Sequence, residues 1–152
     1  MNLSKSFTLN ELTKSQEATR LGIDNTPNEE HILNLKLLCE NILQPFRDFY
    51  GMPVSVSSGF RSPNLCEAIG SSRTSQHARG QAADFEIFSV ANKELAEFII
   101  KHLDYDQCIL EFWNENEPNS GWVHCSFNSQ GNRKQFLQAQ KLNGRVIYTA
   151  LN

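Results

Sequence analysis

Two histidines and an aspartate are the residues of this chain best suited to hold a metal ion. His77 lies in the polar run Ser75-Gln76-His77-Ala78-Arg79-Gly80, and Asp84 follows seven positions later inside a segment that reads as a strand. His124 stands mid-strand in Gly121-Trp122-Val123-His124-Cys125-Ser126. Catalytic zinc sites take three nitrogen or oxygen ligands and leave a fourth position for water, and two imidazoles with one carboxylate meet that need. Gly80, Ala82 and Ala83 leave room for backbone and metal to approach closely. Spacing alone leaves an ordinary alternative open, in which His77 is a polar loop residue, Asp84 a turn or strand-end residue and His124 a core histidine with its hydrogen bonds satisfied. His31 and His102 fall in the first turns of one helix and near the end of another, where histidine commonly faces solvent or complements the helix dipole. Neither is placed in the site.

The elements that must carry these residues follow from capping and periodicity. Thr8-Leu9-Asn10-Glu11 has the hydroxyl and the carboxylate that satisfy orphan amides reciprocally at a helix start. Thr26-Pro27-Asn28-Glu29 repeats the pattern with proline at the first helical position, and Leu35, Leu38, Ile42, Phe46 and Phe49 then recur at helical steps as one buried stripe. Pro45 removes an amide donor inside that pattern, which predicts a kink or break near the last turn. Residues 53–58 alternate as a half-buried strand, Ser62-Pro63 opens a short helix that Gly70 can end, and 71–77 is a polar loop. A second strand over 82–88 precedes a helix over 91–103 with Leu95, Phe98 and Ile99 on one side. Strands at 107–112 and 122–127 flank a long polar loop, and Asn143-Gly144 between 136–142 and 145–150 predicts a hairpin whose two turn residues need positive φ. Helices followed by mostly antiparallel strands with one inserted helix make the class α+β, in a single domain over 1–152.

Composition narrows the partners. A net charge of −3 offers no basic field for neutralising phosphates, so a nucleic-acid partner is not expected. No apolar run approaches the roughly 20 residues needed to cross a bilayer, and Met1 to Phe7 lacks the apolar core of a secretory signal, so synthesis and residence in the cytoplasm as a soluble monomer are expected. The four cysteines, Cys39, Cys66, Cys108 and Cys125, form no C-x-x-C pair and read as buried thiols rather than bridges.

Three motifs together resemble a known family. Ser57-Ser58-Gly59-Phe60-Arg61-Ser62-Pro63, then Thr74-Ser75-Gln76-His77 with Gly80 and Ala82-Ala83-Asp84, then Trp122-Val123-His124-Cys125-Ser126 stand in the order and at the separations of the D-alanyl-D-alanine carboxypeptidase-like zinc peptidases, the LAS type. Phe7 to Leu12 with Ser15 resembles the family's opening, so the likeness spans nearly the whole chain. The resemblance implies a hedgehog/DD-peptidase-like antiparallel sheet carrying Zn2+ with helices on its flank, His77, Asp84 and His124 as ligands, and Arg61 as a substrate-binding residue. An arginine there can clamp a peptide carboxylate with two parallel hydrogen bonds, although a surface arginine at a helix start is the plainer alternative.

Many relatives carry a catalytic polar group three residues before the last histidine, where this chain has Gly121. Glu111 is the replacement read from the alternation of Ile109-Leu110-Glu111-Phe112, with Glu115 and Glu117 as fallback and a solvated glutamate as the alternative. Ser58, Ser75 and Gln76 are candidates for holding substrate amides or supporting the ligands, and Trp122 for walling the cleft, with an ordinary core or rim aromatic the alternative for Trp122 and the plainer reading of Trp113. The function so implied is hydrolysis of peptidoglycan stem peptides, as a D-Ala-D-Ala carboxypeptidase or an L-Ala-D-Glu type endopeptidase. A lone catalytic domain without a secretory signal suits a phage or prophage lysin that another factor releases or the virion carries. The rival is a zinc-containing peptidoglycan-binding or phage structural module that hydrolyses nothing, which Gly121 keeps open.

Overall fold

A computed structural model describes residues 1–151. Helix α1 (Leu9–Thr13) starts as its sequence dictates, with Thr8 Oγ1 accepting from the Glu11 amide and Glu11 Oε1 from the Thr8 amide, both at 3.2 Å. Ser15 caps α2 (Gln16–Leu21), a helix not anticipated from periodicity, and Gly22 closes it at φ 67°. Helix α3 (Glu29–Leu38) begins two residues later than the Thr26 pattern implied. Asn28 is its cap, with Asn28 Oδ1 accepting from the His31 amide at 2.8 Å and His31 Nδ1 from the Asn28 amide at 3.1 Å. Thr26 is taken instead by Asp24, whose carboxylate accepts from its amide and hydroxyl, so Pro27 stands outside the helix.

The helical run continues through a π-turn (Cys39–Leu43) into α4 (Gln44–Tyr50). The expected break at Pro45 is replaced by this wider turn immediately before it, which absorbs the irregularity that a residue without an amide imposes. Leu35, Leu38, Ile42 and Phe46 are fully buried, whereas Phe49 is 65% exposed at the rim and stacks on Phe98 with ring centroids 4.4 Å apart.

Six strands form one sheet in the order β1-β2-β4-β3-β5-β6: β1 Ser55–Ser58, β2 Ala82–Glu86, β3 Gln107–Glu111, β4 Trp122–Ser126, β5 Gln135–Leu142 and β6 Arg145–Ala150. All pairs are antiparallel except β3 with β5, because the chain leaving β4 passes around to the far side of β3. Asp106 ties that crossing: its amide donates to Ser126 O at 2.8 Å and its carbonyl accepts from Gln135 N at 2.9 Å. Asn143 and Gly144 turn the final hairpin at φ 53° and 78°, as their types require.

The sheet has two unlike faces. Ala83, Phe85, Cys108, Leu110, Val123 and Cys125 point to the core, where they meet the stripe of the long helix and Leu95 and Ile99 of the helix Asn92–His102. Facing partners share a side, so Asp84, His124 and Ile109 lie in one row on the other face, and Trp122 with Glu111 in the next. The four cysteines are free and buried.

Candidate metal centre

His77 sits in a single helical turn, Gln76–Arg79, that Ser75 starts by accepting from the His77 amide at 3.2 Å. Gly80 ends it at φ 76°, and a Cβ there would lie 2.6 Å from His31 O, so only glycine lets the turn pack on α3. The Gly59 carbonyl, 2.7 Å from His77 Nδ1, accepts the ring proton there and leaves Nε2 with its lone pair free. Gly59 is itself held close, since a Cβ would meet Leu12 O at 2.3 Å. Asp84 and His124 face each other across β2 and β4.

Three donor atoms converge. His77 Nε2 lies 3.3 Å from His124 Nδ1 and 3.4 Å from Asp84 Oδ1, and His124 Nδ1 lies 3.0 Å from Asp84 Oδ1. Ligands about 2.0–2.1 Å from a tetrahedral ion stand about 3.3 Å apart. The set therefore fits zinc in donor type, number and spacing. Burial alone would raise the Asp84 pKa, but the two imidazoles outweigh it and hold the carboxyl far below its usual range. Burial pushes the His77 pKa down, against the pull of Asp84, so the ring stays neutral. A carboxylate and a neutral imidazole are the protonation states that ligation needs.

The profile of the peptidase M15 family matches residues 5–126, a span that takes in all three side chains and ends with β4. The chain belongs to the peptidase M15 family. M15 peptidases are zinc-dependent metallopeptidases. No curated protein matches the chain.

The three donor atoms open into a cleft of about 460 Å³. Glu111 lines it from β3 beside His124, and burial, then the charge on Asp84, push its pKa above the ordinary glutamate value. Gly121 has a structural reason. At φ 67° a Cβ there would lie 1.8 Å from Glu111 O, so a side chain at the position favoured by relatives would collide with the strand that carries Glu111. Glu115 and Glu117 are exposed in the 112–121 loop and do not line the cleft.

Arg61 donates its amide to His77 O at 3.1 Å, and its side chain lines the cleft with a buried Nε that has no hydrogen-bond partner among the described residues. Trp122 also lines it, its indole N–H buried beside Glu111 and, among the described residues, without a partner in hydrogen-bonding geometry. Gln76 lines the cleft with both ends of its amide used: Nε2 donates to Asp106 Oδ2 at 2.8 Å and Oε1 accepts from Arg133 Nη2 at 3.3 Å. Ser75 is spent on capping. Ser58 does not join them; it pairs with Asp84 in register but lines a neighbouring groove that Arg61 shares.

Asp106, Arg133 and Tyr148 were not anticipated. Arg133 Nε and Nη2 fork onto the Asp106 carboxylate at 3.0 and 2.9 Å, and Arg133 lines the cleft. No spacing motif joins positions 106, 133 and 148; only the parallel β3–β5 pairing gathers them.

Proposed function

We propose that this chain hydrolyses peptide bonds of peptidoglycan stem peptides, with His77, Asp84 and His124 holding zinc. The observation that carries the reading is the 3.0–3.4 Å triangle of donor atoms lining a cleft, with the Glu111 carboxylate one strand away. Zinc in such a site supplies Lewis acidity toward the scissile carbonyl and lowers the pKa of water to about 7.

The chain's own residues supply the rest. Glu111 takes the proton from the attacking water and returns it to the leaving amine, a role served by its raised pKa. Arg61 offers its unengaged guanidinium to a substrate carboxylate, in the bidentate geometry that lysine lacks. Trp122 walls the cleft, and Gln76, held by Asp106 and Arg133, fixes one end of it. In this reading the protein is a cell-wall lysin of phage or prophage, cutting at D-Ala-D-Ala or within the stem.

Metal analysis after dialysis, joined to mass spectrometry of digested muropeptides, tests it. The expected result is one zinc per chain, a single class of cut, loss of both metal and activity in His124→Ala, and loss of activity with metal retained in Glu111→Ala. Stoichiometric zinc with intact muropeptides would establish the non-catalytic binding module instead. Equal cleavage by Glu111→Ala would remove that residue from the mechanism.

A further inference from the structure

The proposed chemistry leaves Tyr148 without a task. It stands on β6, past residue 126 where the family match ends. Register nonetheless brings it to the site face, because Glu111 pairs with Ala139 and Ala139 with Tyr148. Ala139 is fully buried and raises only a methyl group between the carboxylate and the phenol. Two strand spacings, roughly 10 Å, separate β3 from β6, and the tyrosine lines the same cleft as Glu111 and His124.

Tyr148 fills no core. It is 56% exposed on an edge strand whose residues are all exposed, and among the described residues its hydroxyl has no hydrogen-bond partner. Partial burial, then the charges on Glu111 and Asp84, raise its pKa. Arg61 bounds the opposite flank, beside the turn that carries His77. The metal ligands and Glu111 therefore lie between a guanidinium and a phenol. An extended peptide advances about 3.3–3.6 Å per residue, so the gap from Glu111 to Tyr148 accommodates two or three residues.

We propose that Tyr148 is a substrate-binding residue that holds the stem peptide two or three residues from the scissile bond, on the side away from Arg61. The inference rests on the peptidase reading and narrows its substrate to peptides longer than a dipeptide. The flat ring packs on the peptide and the hydroxyl meets a backbone amide or carbonyl, a pairing that aromatic residues with a polar tip serve well.

The test compares wild type, Tyr148→Phe and Tyr148→Ala, all zinc-loaded, on synthetic stem peptides shortened one residue at a time from either end. On the full-length peptide the expected rise in KM is about threefold for Tyr148→Phe and about tenfold for Tyr148→Ala, with kcat unchanged. On the shortest cleaved peptide lacking the distal residues, all three proteins should give the same KM, and their thermal midpoints should agree. A rise of equal size on long and short peptides, a change confined to kcat, or no change at all would each overturn the assignment. Calorimetric titration with the full-length peptide separates the two readings. Cleavage of no peptide by wild type defeats the hydrolase proposal, while tighter binding to wild type than to Tyr148→Ala upholds the tyrosine's role and equal or absent binding defeats it.

Discussion

Replacing Gly121 by alanine isolates the contact that shapes the strand carrying Glu111. At φ 67° an alanine pays the left-handed penalty of about 1–2 kcal/mol. Its Cβ would also lie 1.8 Å from Glu111 O and 2.8 Å from the carbonyl carbon of Phe112. Both neighbours are backbone, so the β3–β4 pairing itself must open. Such overpacking costs about 1–3 kcal/mol, for a total of roughly 2–5 kcal/mol. The midpoint of that range, about 3.5 kcal/mol, lowers Tm by about 10 °C at roughly 3 °C per kcal/mol for a chain of this size. Gly22→Ala is the matched control: it has the same φ of 67° but nothing within 4 Å of the added methyl. It should lose only the conformational part, about 1–2 kcal/mol. Urea titration of the three proteins at neutral pH measures both. If the two variants are equally stable, the close approach of Gly121 to Glu111 is not a constraint, and the explanation for the missing side chain at this position fails.

Other consequences are open to direct measurement. Phe46→Ala removes a fully buried ring that packs edge-on against Phe85 at 5.2 Å and should cost about 3–5 kcal/mol by chemical denaturation. Burial would raise the Asp106 pKa, but its Arg133 and Gln76 hydrogen bonds outweigh that and hold it below the usual range. The folded state then binds its proton less readily than the unfolded one, so the stabilisation is full above about pH 3.9 and is lost as pH falls through the lower native pKa. Asp106→Asn should flatten that acid-side loss in urea midpoints taken between pH 2 and 7, and an unchanged slope would contradict it. All four cysteines are buried, and burial pushes the Cys39 thiol up to about 12; a thiol reagent should therefore label none quickly in the native protein and all four after unfolding. Zinc at 100 times its Kd should stabilise the wild type by about 2.7 kcal/mol, an increment that chelation removes and that Asp84→Ala never shows.

Much of this protein was legible along the chain because capping, turn and periodicity rules are local. Thr8 with Glu11, Ser62 before Pro63 and Asn143-Gly144 each satisfy their own backbone within a few residues, and each element formed where its residues indicated. Thr26 misled because Asp24 competed for it, and Pro45 because a π-turn offered a less costly answer than a break. Residue types also determined the donor set: two imidazoles and a carboxylate are metal ligands wherever the fold brings them together.

Tertiary structure alone decided the rest. His77, Asp84 and His124 converge through the pairing of β2 with β4 and the Gly59 carbonyl behind His77. Gly121 is required by a carbonyl ten positions earlier, and Arg133 and Tyr148 reach the cleft through a parallel pairing of β3 with β5. Ser58, on the right strand and in the right row, still faces a different groove. Local sequence encodes what each residue can offer, whereas strand order and register, which set distances between residues far apart in the chain, are chosen by the packing of the whole sheet against its core.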